Sequence, residues 1–324
     1  MPMRYIPRWL LLVFLTAALV GCESSIEAPD PTAEDLPDQA RTATTLLPPD
    51  GRMMAMVDLQ QMRTHGPSAL REAFSKVSNP SVGDHGELHD FLTESGLDLS
   101  TDIERVYLTQ PREDRQQPYL VLTGTFDRER IGQALEAQAG RDVRQVDVSG
   151  TSAFLLRTDN QTDVAISVVR EDLLAIAPSA HALEAMLHRS VEGMATTDDM
   201  LLRAASQGQS AWYVLRNLNA PASSNAPDEM ERLGSALQDM AGSFTFTDGG
   251  ALDGALTLVP KGNASPEDVA DVVRGLVAAA KQSADISADA REALQRTDVQ
   301  ATDADVRITA HLPAPLINQL ANQK

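Results

Sequence analysis

The chain of 324 residues carries 46 acidic and 27 basic residues, and its formal net charge is −19. This charge repels nucleic-acid phosphates, so DNA and RNA are not expected partners. A hydrophobic content of 43% is typical of a folded protein, and the length suggests about two domains. The single cysteine excludes a disulfide within the chain. An acidic bias of the source genome is an alternative explanation of the charge that carries no functional meaning.

The N-terminus has the three parts of a secretory signal. Arg4 and Arg8 form a basic head, an apolar run follows over residues 9–20, and Gly21 supplies the small residue before Cys22. The run is shorter than the ~20 apolar residues that a membrane-spanning helix needs. We therefore predict a signal peptide over residues 1–21; the alternative is a short membrane anchor that is not cleaved.

The sequence Leu19-Val20-Gly21-Cys22 resembles the lipobox of bacterial lipoproteins, and the resemblance covers only the signal. It implies that diacylglycerol is attached to Cys22, that the chain is cleaved after Gly21, and that the new amino group is acylated, with palmitate as a typical chain. Several acyl chains make such an anchor effectively permanent. Glu23, where an Asp commonly retains lipoproteins in the inner membrane, implies the outer membrane, on its periplasmic side.

Residues 22–45 are rich in Glu, Asp, Pro, Ala and Thr and contain few apolar residues. This composition predicts a lipidated cysteine followed by a disordered acidic tether. Two folded units are expected after it, a first over residues 46–195 and a second over residues 196–324.

Alternating and helically spaced apolar residues predict the elements of the first unit. Leu120 and Leu122 alternate with other residues as in a strand, whereas Ile131 and Leu135 recur at helical spacing. In chain order we predict a strand over 52–59, helices near 67–77 and 87–93, strands over 105–109 and 119–126, a helix capped by Asp127, strands over 143–148, 153–157, 164–169 and 173–176, and a helix capped by Ser179.

The second unit contains the clearest helix signal of the chain. Ser265 is an N-cap residue, Pro266 suits the first helical position, and an apolar stripe begins at Val269. In chain order we predict a strand over 211–215, a helix over 227–240, a hairpin of strands near 244–247 and 252–259, the helix after Ser265, strands over 299–301 and 306–312, and a helix over 313–323.

The two units share one order of strands and helices, although their sequences show no visible identity. Strand runs interrupted by single helices predict an α+β fold of two similar units, each a mostly antiparallel sheet with helices packed on one face.

The densest polar cluster surrounds His85 and His89, which are four residues apart and are therefore weak candidates for metal ligands. Gly86 stands where the helical zinc-protease motif has its glutamate, and no third ligand is evident. A solvated helix start capped by Asp84 is the preferred interpretation. We predict no cofactor and no resident metal.

Other candidate catalytic residues lack the pattern their chemistry needs. Ser152 and Ser210 each follow a glycine by two residues, but no second glycine completes a nucleophile elbow. His181 and His188 lie two helical turns apart, roughly 10 Å, so they are expected at the surface. No catalytic residue is assigned.

The anchor, the tether and the missing catalytic motifs predict a membrane-anchored envelope lipoprotein, a non-enzymatic module that binds a protein or another ligand on the periplasmic side. The expected partners are the membrane, through the lipid, and a protein of the cell envelope. Two alternatives stay open: a periplasmic hydrolase with a dispersed active site, and a carrier of apolar molecules.

Overall fold

The computed structural model contains two units of strands and helices. It describes residues 32–68, 71–72, 97–98, 101–112, 117–137, 143–157, 163–192, 198–207, 210–218, 233–247, 249–262, 264–283 and 286–322. The first unit comprises Pro31–Gln60 and Glu72–Leu202. The described residues of the second unit fall in Gln61–Arg71 and Arg203–Lys324.

Up to residue 192 the helices are α1 (Asp38–Leu46), α2 (Leu59–His65), α3 (Arg128–Glu136) and α4 (Ala180–Glu192), and the strands are β1 (Met53–Asp58), β2 (Ile103–Gln110), β3 (Tyr119–Gly124), β4 (Val143–Val148), β5 (Thr151–Arg157), β6 (Asp163–Arg170) and β7 (Leu173–Ala177). They are followed by α5 (Asp199–Gln207), β8 (Ala211–Leu215), β9 (Leu237–Phe246), β10 (Leu252–Pro260), α6 (Pro266–Gln282), α7 (Ala288–Gln295), β11 (Asp298–Ala301), β12 (Val306–Leu312) and α8 (Ala314–Asn322).

The two units repeat one sheet topology. In the first unit the strand order is β1-β2-β3-β7-β6-β5-β4, and in the second it is β8-β9-β10-β12-β11, with antiparallel pairing throughout each unit. Each has three consecutive strands, a helical crossover, and a hairpin whose second strand pairs with the third strand of the unit. The first unit adds the hairpin β4–β5 beyond β6. The α+β class with two similar antiparallel units is therefore confirmed.

The three predicted capping residues Asp127, Ser179 and Ser265 begin their helices as expected, and the Ser179 hydroxyl accepts a hydrogen bond from the N–H of Ala182 at 3.1 Å. The Asp127 carboxylate accepts hydrogen bonds from the N–H groups of Glu129 and Arg130, at 2.9 and 3.0 Å. The Ser265 hydroxyl accepts one from the N–H of Asp268, and Pro266 occupies the first turn. These bonds satisfy amide groups that would otherwise lack a helical partner.

Helices cover both faces of the sheet in the first unit. Leu122 and Leu174 belong to a core cluster on one face that also contains Ile131 of α3. The alternate residues of the same strands, such as Val121 and Ala175, are also fully buried, and α1 contacts β3 while α4 contacts β6 and β7. The expected packing on one face thus describes α3, whereas α1 and α4 lie against the opposite face.

Residues 38–45 were expected in the disordered tether, but they form most of α1. Ala43 and Leu46 are fully buried, and Arg189 of α4 donates two hydrogen bonds to the Leu46 carbonyl, at 3.2 and 2.8 Å. Burial lowers the pKa of Arg189. The expectation fails here because it averaged the composition over the whole segment, whereas the few apolar residues lie on one helix face and gain a partner from α4.

The predicted helix over 227–240 is wrong at its described C-terminal end. Leu237 to Met240 belong to β9, and Met240 pairs with Leu215 of β8 on one side and Leu258 of β10 on the other. The helical spacing of apolar residues is overridden here because this segment forms backbone hydrogen bonds with a strand on each side. Strand preference depends mainly on packing against neighbouring strands, which a local pattern does not show.

The helices of the second unit bury one face of its sheet. Leu256 of β10 and Ile308 of β12 lie opposite each other and are buried, as are Val269 and Val273 of α6. α6 contacts β10, β11 and β12. The odd-numbered positions of β10 and β12 therefore point to the other side of the sheet.

Gly242 is required by the aromatic packing of β8 and β9. It pairs with Tyr213, whose ring stacks on Phe244 with the centroids 5.9 Å apart. A Cβ added to Gly242 would overlap the Tyr213 ring, whereas a Cβ added to Gly275 in α6 meets no atom within 4 Å.

We predict opposite effects of alanine at these two glycines. Gly242→Ala lowers the free energy of unfolding by about 1–3 kcal/mol because the methyl group displaces the Tyr213 ring. Gly275→Ala raises it by about 0.5–1 kcal/mol because it restricts the unfolded chain and improves helix propensity. Urea unfolding followed by circular dichroism measures both values, and a Gly242→Ala protein as stable as the wild type would contradict the packing.

A buried polar cluster joins α1 to β1 and β2. The Asp58 carboxylate is almost fully buried and accepts a hydrogen bond from Arg105 Nε at 2.7 Å, while Arg105 Nη1 donates to Gln39 of α1 at 3.0 Å. Burial, opposed by the Arg105 guanidinium and assisted by Asp58, raises the pKa of Tyr107 to about 12.

The raised pKa of Tyr107 predicts a loss of stability between about pH 10 and pH 12. In this window the unfolded state has released the phenolic proton and the native state still holds it, so the free energy of unfolding falls as pH rises. Tyr107→Phe should make the slope shallower by up to about 1.4 kcal/mol per pH unit. Urea titrations at several alkaline pH values give the slope, and identical slopes for the two proteins would refute the prediction.

Candidate functional site

Strands β10 and β12 of the second unit expose side chains on the face opposite the one that α6 covers. We define the open face as Thr245 of β9, Asp253 and Ala255 of β10, and Thr309 and His311 of β12. The residues of β10 and β12 alternate with the buried positions of those strands, whereas the neighbouring Ser243 of β9 is itself buried. Their shared side follows from the period of two in a strand.

A histidine and an aspartate form a pair on the open face. His311 and Asp253 are directly opposite each other in the β10–β12 ladder, and His311 Nδ1 lies 2.7 Å from Asp253 Oδ1. Their side chains are 33% and 57% exposed. When Nδ1–H donates to the carboxylate, Nε2 is the acceptor nitrogen of the ring. Thr245 is opposite Asp253 on the other side, so the three side chains form a row across the strands.

The open face contains a shallow depression of about 340 Å³ that is open to solvent and lined mainly by carbon atoms. Small residues, among them Gly254, Ala255 and Ala310, contribute to its lining, and the Asp253–His311 pair lies beside them. This volume is at the lower end of ligand sites. A shallow depression with a polar pair suits a protruding side chain of another protein better than an enclosed small molecule.

The open face continues to strand β11, which ends the sheet among the described strands. Asp298 of β11 pairs with Thr309, which in turn lies in the same row as Ala255 and Ser243. The row therefore extends from the depression to the edge of the sheet.

A buried ion cluster fixes the turn between β11 and β12. The Asp305 carboxylate, which is 8% exposed, accepts hydrogen bonds from Arg203 Nη1 at 2.7 Å, Arg307 Nε at 3.2 Å and the Thr302 hydroxyl at 2.9 Å. Arg203 belongs to α5, so the cluster ties the hairpin to this helix. A buried carboxylate with three donors is a structural anchor and holds the edge strand in place.

The residues predicted to carry function from the sequence lie outside the described part of the chain. This holds for the lipobox residues Leu19, Val20, Gly21 and Cys22 and for the histidines His85 and His89. Their roles therefore stay predictions. Among the described residues, no group of three or more His, Cys, Asp or Glu side chains could hold a metal ion.

The two serines considered as nucleophiles have roles within the sheets. Ser152 accepts a hydrogen bond from Gln145 at 2.8 Å on the neighbouring strand. Ser210 is buried and accepts the N–H of Phe246 at 2.9 Å. His181 and His188 are exposed on α4.

Sequence reasoning missed the Asp253–His311 pair. Alternation of the leucines in β10 and of the apolar residues in β12 places Asp253 and His311 each on a solvent-facing side, and this signal was available. The register that sets them opposite each other was not, because α6, α7 and β11 separate the two strands along the chain.

Comparisons with known proteins inform the fold and leave the function open. No protein-family model matches the chain, and no curated protein matches it. Two crystal forms of TP0453, forms III and IV, are similar, with TM-scores of 0.51 and 0.50 and 10% sequence identity. The alignments cover 86% of this chain and 96% and 95% of TP0453. At this identity the likeness shows a shared fold alone. Of the helices described, none has the length and apolar composition to cross a membrane.

Proposed function

We propose that the chain is a membrane-anchored envelope lipoprotein that binds a partner protein through the open face of its second unit, without catalysis. The observation that carries the proposal is the contrast between the units. Helices cover both faces of the first sheet, whereas in the second unit α6 covers one face of β10 and β12 and a depression lined by small residues lies on their opposite face. Exposed apolar surface beside polar groups is typical of a binding site.

The anchored location rests on the sequence. The lipobox Leu19-Val20-Gly21-Cys22 supports lipidation of Cys22, and Glu23 supports the periplasmic side of the outer membrane. Because α1 begins at Asp38, the segment between the lipid and the folded body is shorter than the composition suggested. A body on such a segment would reach partners close to the membrane surface.

A hydrolase is the second candidate, and the His311–Asp253 pair is the observation that favours it. Asp253 would orient the imidazole and His311 would act as a general base toward a hydroxyl or a water molecule in the depression. The depression is open, however, and general-base chemistry is most effective where water is excluded. Protein binding therefore accounts better for the geometry.

Crosslinking in intact cells tests the proposal. We expect the wild-type protein, purified through a C-terminal tag after crosslinking, to recover one specific envelope protein, and Ala255→Arg to recover about tenfold less because the long charged side chain fills the depression. Ala278→Arg, on the exposed side of α6, is the matched control and should recover the wild-type amount.

Cys22→Ala tests the anchor in the same cells. This variant should not incorporate labelled palmitate. It should keep its signal peptide or appear in the soluble fraction, and the partner should not be recovered with it. Equal recovery by Ala255→Arg and the wild type would contradict the role of the open face, and palmitate labelling of Cys22→Ala would contradict the lipidation site. Hydrolysis of ester or peptide substrates that is abolished by His311→Gln would favour the second candidate.

A further inference from the structure

We infer that the outer edge of β11, with which none of the described strands pairs, is a strand-addition site, at which an extended segment of the partner protein pairs with the second unit as a further antiparallel strand. The inference rests on the proposed function and names how the partner is held. The backbone groups of β11 and the side chains of Asp298, Val299 and Gln300 do not line the depression on the open face.

The hydrogen-bonding pattern of the β11–β12 hairpin leaves the backbone groups of two β11 residues pointing away from β12. The Thr302 N–H donates to the Asp305 carbonyl at 2.8 Å and closes the turn. Hydrogen-bonded and non-hydrogen-bonded pairs alternate from there, so Gln300 bonds to Arg307 whereas Val299 and Ala301 direct their N–H and C=O groups away from β12. These outward groups form a template for another strand.

The first unit shows what such an edge accepts. In the repeated topology β11 corresponds to β6, because each is the first strand of the hairpin that returns to the third strand of its unit. β6 pairs with β5 through four residue pairs from Phe154–Ile166 to Arg157–Asp163. The same chain thus fills the corresponding edge of its first unit with an antiparallel strand.

The side chains of β11 indicate the kind of segment that fits. Val299 lies on the helix-covered side, in the row of Ile308 and Leu256, whereas Asp298 and Gln300 lie on the side of the open face. An added strand would therefore carry apolar residues at alternate positions and polar residues between them. A basic residue near Asp298 would be complementary to that carboxylate and to the net charge of −19. The same charge disfavours a second copy of this chain.

Arg274 of α6 protects the edge. Its Nη2 donates to the outward Val299 carbonyl at 3.2 Å, and its Nη1 is held by Glu267 and Asp271 at 2.7 and 2.8 Å. Charged side chains at an edge are a common defence against unwanted strand pairing. An incoming strand would displace this single, largely solvated hydrogen bond.

Binding of a strand peptide to the mature protein tests the inference. The probe is a fluorescent peptide with the sequence of β5, Thr151–Arg157, measured by anisotropy. We expect saturable binding to the wild type, about fivefold tighter binding to Arg274→Ala because the competing contact is removed, and loss of binding to Ala301→Pro. A proline at this position removes an outward N–H and leaves the ladder with β12 intact.

Two further peptides separate strand addition from adhesion of an apolar peptide. One is N-methylated at Ala153 and Leu155, the other at Phe154 and Leu156, so each has one blocked edge and the same side chains. A peptide paired at β11 uses one edge, and therefore one of the two should bind like the parent and the other should not. Equal binding of both, or no saturable binding of the parent peptide to Arg274→Ala, would overturn the inference.

Sedimentation velocity on the same proteins decides between a partner and a second copy. The wild type should be monomeric; a dimer that Ala301→Pro dissociates would overturn the inference, because the edge would then be occupied by this chain. A different result tests the proposed function. Recovery of an envelope protein that Ala255→Arg reduces, without peptide binding at β11, would retain the function and reject strand addition alone.

Discussion

The pairing of β10 with β12 is the constraint on which the second unit depends. It joins strands that α6, α7 and β11 separate along the chain, and it aligns Leu256 with Ile308 on the buried face. A shift of one residue would expose both and bury the Asp253–His311 pair. The helices, the open face and the edge strand β11 follow from this one register. The pairing of β3 with β7 plays the same part in the first unit.

The divergence of the two units explains where a binding surface can form. Both units use three strands, a crossover and a returning hairpin, but the first also has the hairpin β4–β5 at one edge and helices on both faces. The hairpin β4–β5 pairs with the edge of β6, and helices α1 and α4 cover the small side chains on the face opposite the main core. The second unit has no corresponding hairpin among its described strands, and this difference is the reason we place the proposed partner at its edge and its open face.

Local signals were sufficient for much of the fold. The caps at Asp127 and Ser265, and the alternation in β10 and β12, depend on neighbours within a few residues and were predictable. The strand conformation of Leu237 was not predictable from local signals, because β9 forms only by pairing with β8 and β10. The packing of α1 depends on Arg189, far away in sequence. The candidate site belongs to this second kind: each of its residues was assignable to a solvent-facing side, but their meeting depends on long-range register.

Site-specific photocrosslinking in intact cells tests whether the second unit binds its partner through the open face and the β11 edge. A benzophenone amino acid would replace Ala255, Gln300 or, as a control, Ala278 on the exposed side of α6. We expect adducts with the same envelope protein from positions 255 and 300 and none from position 278. Adducts from position 278 alone would contradict it, since the partner would then lie on the helical side.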